Sequence, residues 1–302
     1  MSRMFQAAAA MSMAALLVLL VPPMRAGAGT VLEKIVAGKT IALGLRTDAP
    51  PFASKDGTTL SGFSVDLCGL IANVIVDTAG IDGLQGKIVQ VDASNRFEKL
   101  AAGEIDVLCG ATTATLSRRE QVSFSIPTFI TGVGAAVRSD APDLLKEVLL
   151  TNSPANASRA VVATALQGRT FAVRKGTTSE AWLMNSAIAK IEGVKIEVVE
   201  THDQGMGRLS AGTIDAYFAD RAILAGLIRK RALSQFEFSR KSYTLEPYAL
   251  AIPRGDEDFR LLIDRALSKL YRSGKILEIF EAHFGQPSPE VRFFYGAVSL
   301  PE

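Results

Sequence analysis

The sequence predicts an α/β fold of two lobes, each a doubly wound and mostly parallel sheet, with two hinge crossings between them. Three observations carry that expectation. Periodicity over residues 40–108 runs strand, helix, strand, helix, strand, the order that builds a parallel sheet. The order returns in the second half on two echoes: GKTIA (38–42) against GRTFA (168–172), and LAAGEID (100–106) against LSAGTID (209–215). A chain of 302 residues with 48% hydrophobic content is also long enough for two cores.

From Gly38 the pattern reads GKTIALGLRTDAPPF: a β-rich strand at 40–45, then Arg46, then a loop stiffened by Pro50 and Pro51. Leu67, Leu70, Ile71, Val74 and Ile75 recur at helical spacing, and Gly80 stops that helix. KIVQVD (87–92) is the second strand, and Ser94 caps a short helix carrying Phe97 and Leu100, which Gly103 ends. The third strand ends at Leu108 and runs into Cys109-Gly110-Ala111-Thr112-Thr113. A first crossing is expected near residues 132–136. From Ala136 to Val162 no strand pattern is visible; LLKEVLL suggests a short helix and TNSPANAS a loop. SYTLEPYALAIP (242–253) reads as the returning strand, followed by amphipathic helices through Phe259, Leu262, Ile263, Ala266 and Leu270 and through KILEIFEAHFG. These boundaries give a first lobe of residues 29–133 and 249–302 and a second of residues 134–248.

Residues 1–28 stand apart. Arg3, an uncharged run from Met4 to Met24, Arg25 and Ala26-Gly27-Ala28 have the order of a secretory signal peptide cleaved after Ala28, with an uncleaved anchor as the alternative. Removing Arg3 and Arg25 with the leader leaves 31 basic residues against 31 acidic, which argues against nucleic acid as a partner. Both cysteines, Cys68 and Cys109, lie in the exported part. An oxidising compartment permits a disulfide between them; two buried free thiols are the alternative, with metal or nucleophilic roles last.

In a doubly wound sheet the ligand crevice lies at the carboxyl ends of the strands. The repeat brings Arg46, Thr113 and Arg118 of the first lobe opposite Thr177 and Asp220 of the second. Thr113 and Arg118 are spaced so that one hydroxyl and one guanidinium converge on a carboxylate, and Asp220 suits an ammonium, a pairing that fits a zwitterion. A second ligand carboxylate would want Arg46, Arg96 and His202, with Ser94 beside them; for Arg96 and His202 a solvated helix face or loop is the alternative. Catalytic templates are absent: the mature chain has only His202 and His283, no G-x-S-x-G, no H-E-x-x-H, no P-loop and no zinc-spaced Cys/His cluster. No metal or other cofactor is expected. Glu180 or Asp220 is still enough acid for a simple elimination.

GLRTDAPPF (44–52), GFSVDLC (62–68), SNRFEKLAAGEIDVLCGATT (94–113), SRREQVSFSIPTF (117–129), GTTSE (176–180) and GTIDAYFADRAILAG (212–226) together resemble the exported polar amino-acid-binding proteins of ABC importers, above all the glutamate/aspartate binders. The resemblance covers nearly the whole mature chain. It implies the two-lobed periplasmic-binding-protein fold, a periplasmic location, a monomer, an amino-acid ligand and a membrane permease as partner. It also implies that Thr113, Arg118 and Thr177 hold the α-carboxylate and Asp220 the ammonium, while Arg46, Ser94, Arg96 and His202 read the side-chain carboxylate. The chain departs from the pattern where Ala111 replaces a serine, leaving only its carbonyl for the ammonium. Exported cyclohexadienyl dehydratases, which act on prephenate-like acids, share the scaffold and supply the rival reading.

Overall fold

The computed structural model describes residues 30–151, 158–230 and 234–302; the leader expected at 1–28 and most of the TNSPANAS stretch lie outside them. Thr30 opens α1 (Val31–Gly38) with a reciprocal capping box to Glu33. Next come β1 (Thr40–Leu45), a small hairpin sheet of β2 (Asp48–Ala49), β3 (Ala53–Asp56) and β4 (Thr59–Ser61), and α2 (Phe63–Ala79), which Gly80 ends in the left-handed conformation. β5 (Gln85–Gln90), α3 (Arg96–Ala101), β6 (Val107–Cys109), α4 (Leu116–Arg119) and β7 (Val122–Thr131) complete the first pass through lobe one.

Lobe two contains β8 (Val133–Arg138), α5 (Asp143–Leu150), α6 (Arg159–Leu166), β9 (Thr170–Arg174) and α7 (Thr178–Asn185). It continues with β10 (Lys195–Val199), α8 (His202–Ser210), β11 (Ala216–Asp220), α9 (Arg221–Lys230) and β12 (Phe236–Phe238). The chain then returns to lobe one as β13 (Glu246–Pro253), α10 (Glu257–Arg272), α11 (Lys275–Phe284) and α12 (Pro289–Val298).

The two sheets have the same plan, β5-β1-β6-β13-β7 and β10-β9-β11-β8-β12. In each, one strand next to the parallel core runs against the others, β13 in the first and β8 in the second, and both are strands that follow a crossing. The echo noted in sequence has a structural role. Asp106 exchanges backbone and side-chain hydrogen bonds with Ala42 and ion-pairs with Lys34, while Asp215 does the same with Thr170 and Arg169. Each aspartate therefore pins the start of a central strand to its neighbour.

No strand pattern is visible after Ala136, yet β8 runs to Arg138. Five of its six residues are buried between β11 and β12, so VGAAVR lacks the alternation that marks a half-exposed strand. Cys68 on α2 and Cys109 at the end of β6 are bridged, Sγ to Sγ 2.05 Å, which excludes the free-thiol alternative. The bridge closes a loop of sequence separation 41, worth roughly 4 kcal/mol by loop-closure entropy, and ties down the point where β6 turns toward the cleft.

The crossings lie side by side. A Cβ built on Gly132 would fall 1.9 Å from the Thr244 carbonyl oxygen, and the Val133 N–H donates to the Thr244 hydroxyl at 2.9 Å. Only glycine lets the two crossing backbones approach this closely. Gly132→Ala is therefore expected to lower the melting temperature by several degrees, because relieving a backbone overlap costs about 1–3 kcal/mol. A calorimetric scan matching the unsubstituted protein would show that the crossings are not packed this way.

Candidate functional site

Seven charged side chains converge where the two lobes meet at the carboxyl ends of their strands. Arg46 follows β1, Asp48 is on β2, Arg96 opens α3 and Arg118 lies in α4; from lobe two Arg174 ends β9 and Asp220 ends β11; Glu246 opens β13. Arg46, Arg96, Arg174, Asp220 and Glu246 are all buried.

The lobes touch through these groups. Arg174 Nη1 lies 2.6 Å from Asp48 Oδ2, Arg46 Nη2 lies 3.3 Å from His202 Nε2, and Arg96 Nη2 donates to the Gly176 carbonyl at 3.1 Å. Glu246 Oε2 accepts from Thr113 of lobe one at 2.8 Å and from Thr178 of lobe two at 2.6 Å, while its Oε1 accepts from Thr244 on the crossing at 2.8 Å. One carboxylate thus ties both lobes to the hinge. Arg118 Nη1 donates back to the Thr113 carbonyl at 2.8 Å, so the turn that sets the spacing of these two residues also aims the guanidinium. Arg96 and Arg118 lie over the same ring, Phe97, at 4.6 and 5.4 Å from its centroid.

Burial sets the protonation states. The His202 imidazole is pushed down to about 3, first by desolvation and then by Arg46, so it is neutral. A guanidinium only donates, so Nε2 accepts from Arg46 and the proton sits on Nδ1, which faces the Tyr217 hydroxyl at 2.8 Å. Arg96 is pulled down to about 8 by desolvation and by the like charges of Arg46, Arg118 and Arg174, and among the described residues it has no ion pair. Asp220 is raised to about 6, by burial first and then by Glu246. Its Oδ1 is buried without a hydrogen-bond partner, as are Arg46 Nε and Arg96 Nε. Burial opposes ionisation of Asp48, but Arg46 and Arg174 hold its carboxyl below the usual range.

With His202 neutral, four guanidiniums face three carboxylates, and several of their atoms are dry and unpaired. Such a site gains from a small anion that also carries a cation for Asp220. No group of three or more His, Cys, Asp or Glu able to hold a metal ion occurs among the described residues.

The structure brings Arg46, Arg96, Thr113, Arg118, His202 and Asp220 together, and the buried positions of Arg96 and His202 rule out a solvated helix face or loop for either. Ala111 lends its carbonyl to Arg46 Nη1 at 3.4 Å. Ser94 is exposed and its hydroxyl is turned to Asp92 at 2.6 Å. Thr177 is the N-cap of α7, accepting from the Glu180 N–H and donating to the Arg174 carbonyl, and Thr178 is the threonine whose hydroxyl reaches Thr113 at 3.3 Å. Glu180 accepts from the Gly176 N–H at 2.6 Å. Sequence reasoning missed Asp48, Arg174, Thr178 and Glu246. A signal existed for one of them: Thr177-Thr178-Ser179-Glu180 has the S/T-x-x-E spacing of a helix start, which assigns Thr177 to the cap.

Known proteins match this architecture. The family model described as bacterial extracellular solute-binding proteins, family 3, matches residues 41–286. A glutamate/aspartate import solute-binding protein of Salmonella typhimurium is 27% identical, the alignment covering 87% of this chain and 82% of that protein. An L-glutamate/L-aspartate-binding protein of Pseudomonas aeruginosa is also 27% identical, over 85% and 81%. Among solved structures, a mutant of the T. maritima protein ArgBP superposes with a TM-score of 0.70 at 27% identity, covering 85% of this chain and all of that one. An ancestral amino acid-binding protein described as a precursor of cyclohexadienyl dehydratase superposes with a TM-score of 0.69 at 22% identity, over 85% of this chain and all of that one, a likeness of fold alone.

Proposed function

The chain belongs to the bacterial extracellular solute-binding proteins of family 3, and from that premise we propose that it captures glutamate or aspartate by closure of its two lobes and delivers it to the membrane permease of an ABC importer. It acts in the periplasm as a monomer, after export on the leader at residues 1–28, and without catalysis. The observation that carries this reading is the charge balance of the cleft. Four guanidiniums against three carboxylates, with His202 neutral, leave one positive charge, and an acidic amino acid brings one net negative charge. Thr113, Thr178 and Arg118 take the α-carboxylate, Asp220 Oδ1 takes the ammonium, and Arg96 and Arg46 take the distal carboxylate. Thr177 contributes by capping α7, Ala111 by its carbonyl, His202 by orienting Arg46, and Ser94 by a hydroxyl that must turn from Asp92. Micromolar affinity needs about 8 kcal/mol, within reach of a few charge-assisted bonds in a closing, desolvated cleft.

Thermal-shift and calorimetric screening of the mature protein against a panel of free amino acids is the test. Glutamate and aspartate are expected to raise the melting temperature most. Turnover of prephenate or arogenate with no amino-acid binding would instead establish the dehydratase reading.

Proton linkage supplies a second check. Asp220 has a folded pKa of about 6 against 3.8 for an ordinary aspartate, so it binds its proton more tightly in the folded protein than in the unfolded chain. Its protonation favours the ligand-free fold below about pH 4, and that contribution, about 3 kcal/mol, is lost as pH rises through 6. A bound ammonium needs the ionised form. Glutamate affinity is thus expected to fall about tenfold from pH 7 to pH 5. A flat profile over that range would separate Asp220 from ligand binding.

A further inference from the structure

Beyond the charged cleft, the molecule holds a second cavity of about 500 Å³ between the lobes. Its walls are aromatic: Phe129, Phe280, Phe284, Phe294 and Tyr295 from lobe one and Phe238 from lobe two. Ala222 and Ala225 of α9 form another wall, small side chains on a helix that elsewhere packs through Ile223, Leu224 and Leu227. The volume is that of a small-molecule site rather than a packing flaw.

Two cations border this apolar space. Arg221 and Arg229 lie on the same face of α9 and both line the cavity. Among the described residues neither takes part in an ion pair, and the Arg229 contact is Nη1 to the His283 carbonyl at 3.3 Å. The cavity has one anionic lining residue, Glu290, and its Oε2 accepts from the Ser288 hydroxyl at 2.6 Å. Aromatic walls with two guanidiniums against one carboxylate fit a ligand with an apolar body and one carboxylate head.

We propose that the cavity between α9, α11 and α12 is a second binding site, taking a medium-chain alkyl carboxylate whose chain lies against Phe284 and Phe294 and whose head pairs with Arg221 and Arg229. This site is separate from the charged cleft, whose residues do not line it.

The test is calorimetric titration of the mature protein with decanoate, kept below its micelle concentration, and in parallel with decanol. Saturable one-to-one binding of decanoate, at least tenfold tighter than decanol, is expected. The double variant Arg221→Gln/Arg229→Gln should abolish that preference, and Ala225→Phe, which fills the cavity without removing a charge, should abolish decanoate binding. Equal affinity for decanoate and decanol, no saturable binding of decanoate, or unchanged decanoate binding in Ala225→Phe with its melting temperature retained would each overturn the proposal.

Discussion

Replacing Arg118 by alanine is expected to abolish binding of every amino acid tried, with glutamate affinity falling by at least about a hundredfold, since a charge-assisted pair in a dry site is worth roughly 3 kcal/mol. Arg118 Nη1 is anchored on the Thr113 carbonyl at 2.8 Å, which holds the guanidinium beside the one part common to all amino acids, the α-carboxylate. The neighbouring hydroxyls do not replace it: Thr113 and Thr178 both donate to Glu246, at 2.8 and 2.6 Å, so a ligand carboxylate must draw them from an existing acceptor. Without Arg118, that carboxylate would stand near Glu246 and Asp220 with its nearest counter-charge gone. Arg118→Lys is expected to recover only part of the loss, because an ammonium cannot hold the Thr113 carbonyl and present two parallel donors. Calorimetry with glutamate, glutamine and alanine checks this. Binding within a few-fold of the unsubstituted protein would remove Arg118 from the α-carboxylate site.

The parts of this site that were legible in the sequence are those fixed by local chemistry. Arg46 follows β1 because an apolar strand ends there, and Asp220 follows from its place in a repeat whose aspartate, Asp215, does the same work as Asp106. The turn from Cys109 to Thr113 showed itself by the loss of apolar pattern. The missed residues depend on tertiary partners. Asp48 in a Pro-rich loop looks like any turn aspartate, and its partner Arg174 is distant in sequence, on the other lobe. Glu246 stands in a stretch that announces only a strand, and its three threonine donors come from both lobes and the crossing. Strand β8 was hidden for a related reason: burial on both faces removes the alternation by which a strand is recognised.

Arg96→Ala is expected to separate acidic from neutral ligands, lowering affinity for glutamate and aspartate roughly 30- to 100-fold while changing that for glutamine less than about threefold, the loss of a single charge-assisted contact of 2–3 kcal/mol. Arg96 is the guanidinium with the least compensation. It is 2% exposed, its Nε has no partner, and both other nitrogens donate to neutral carbonyls, those of Ala93 and Gly176. Arg46 and Arg174, by contrast, lie within reach of Asp48. A ligand's distal carboxylate therefore gains most at Arg96, where it offsets the burial that, together with the repulsion from Arg46, Arg118 and Arg174, pulls this group down to about 8. Glutamine brings an amide of the same shape and no charge, so the residue has little to offer it. The Gly176 contact also spans the lobes, so a purely mechanical role for Arg96 would weaken all ligands alike. Equal losses for glutamate and glutamine would assign Arg96 to closure, and no loss for glutamate would end the acidic-ligand reading while leaving the fold untouched.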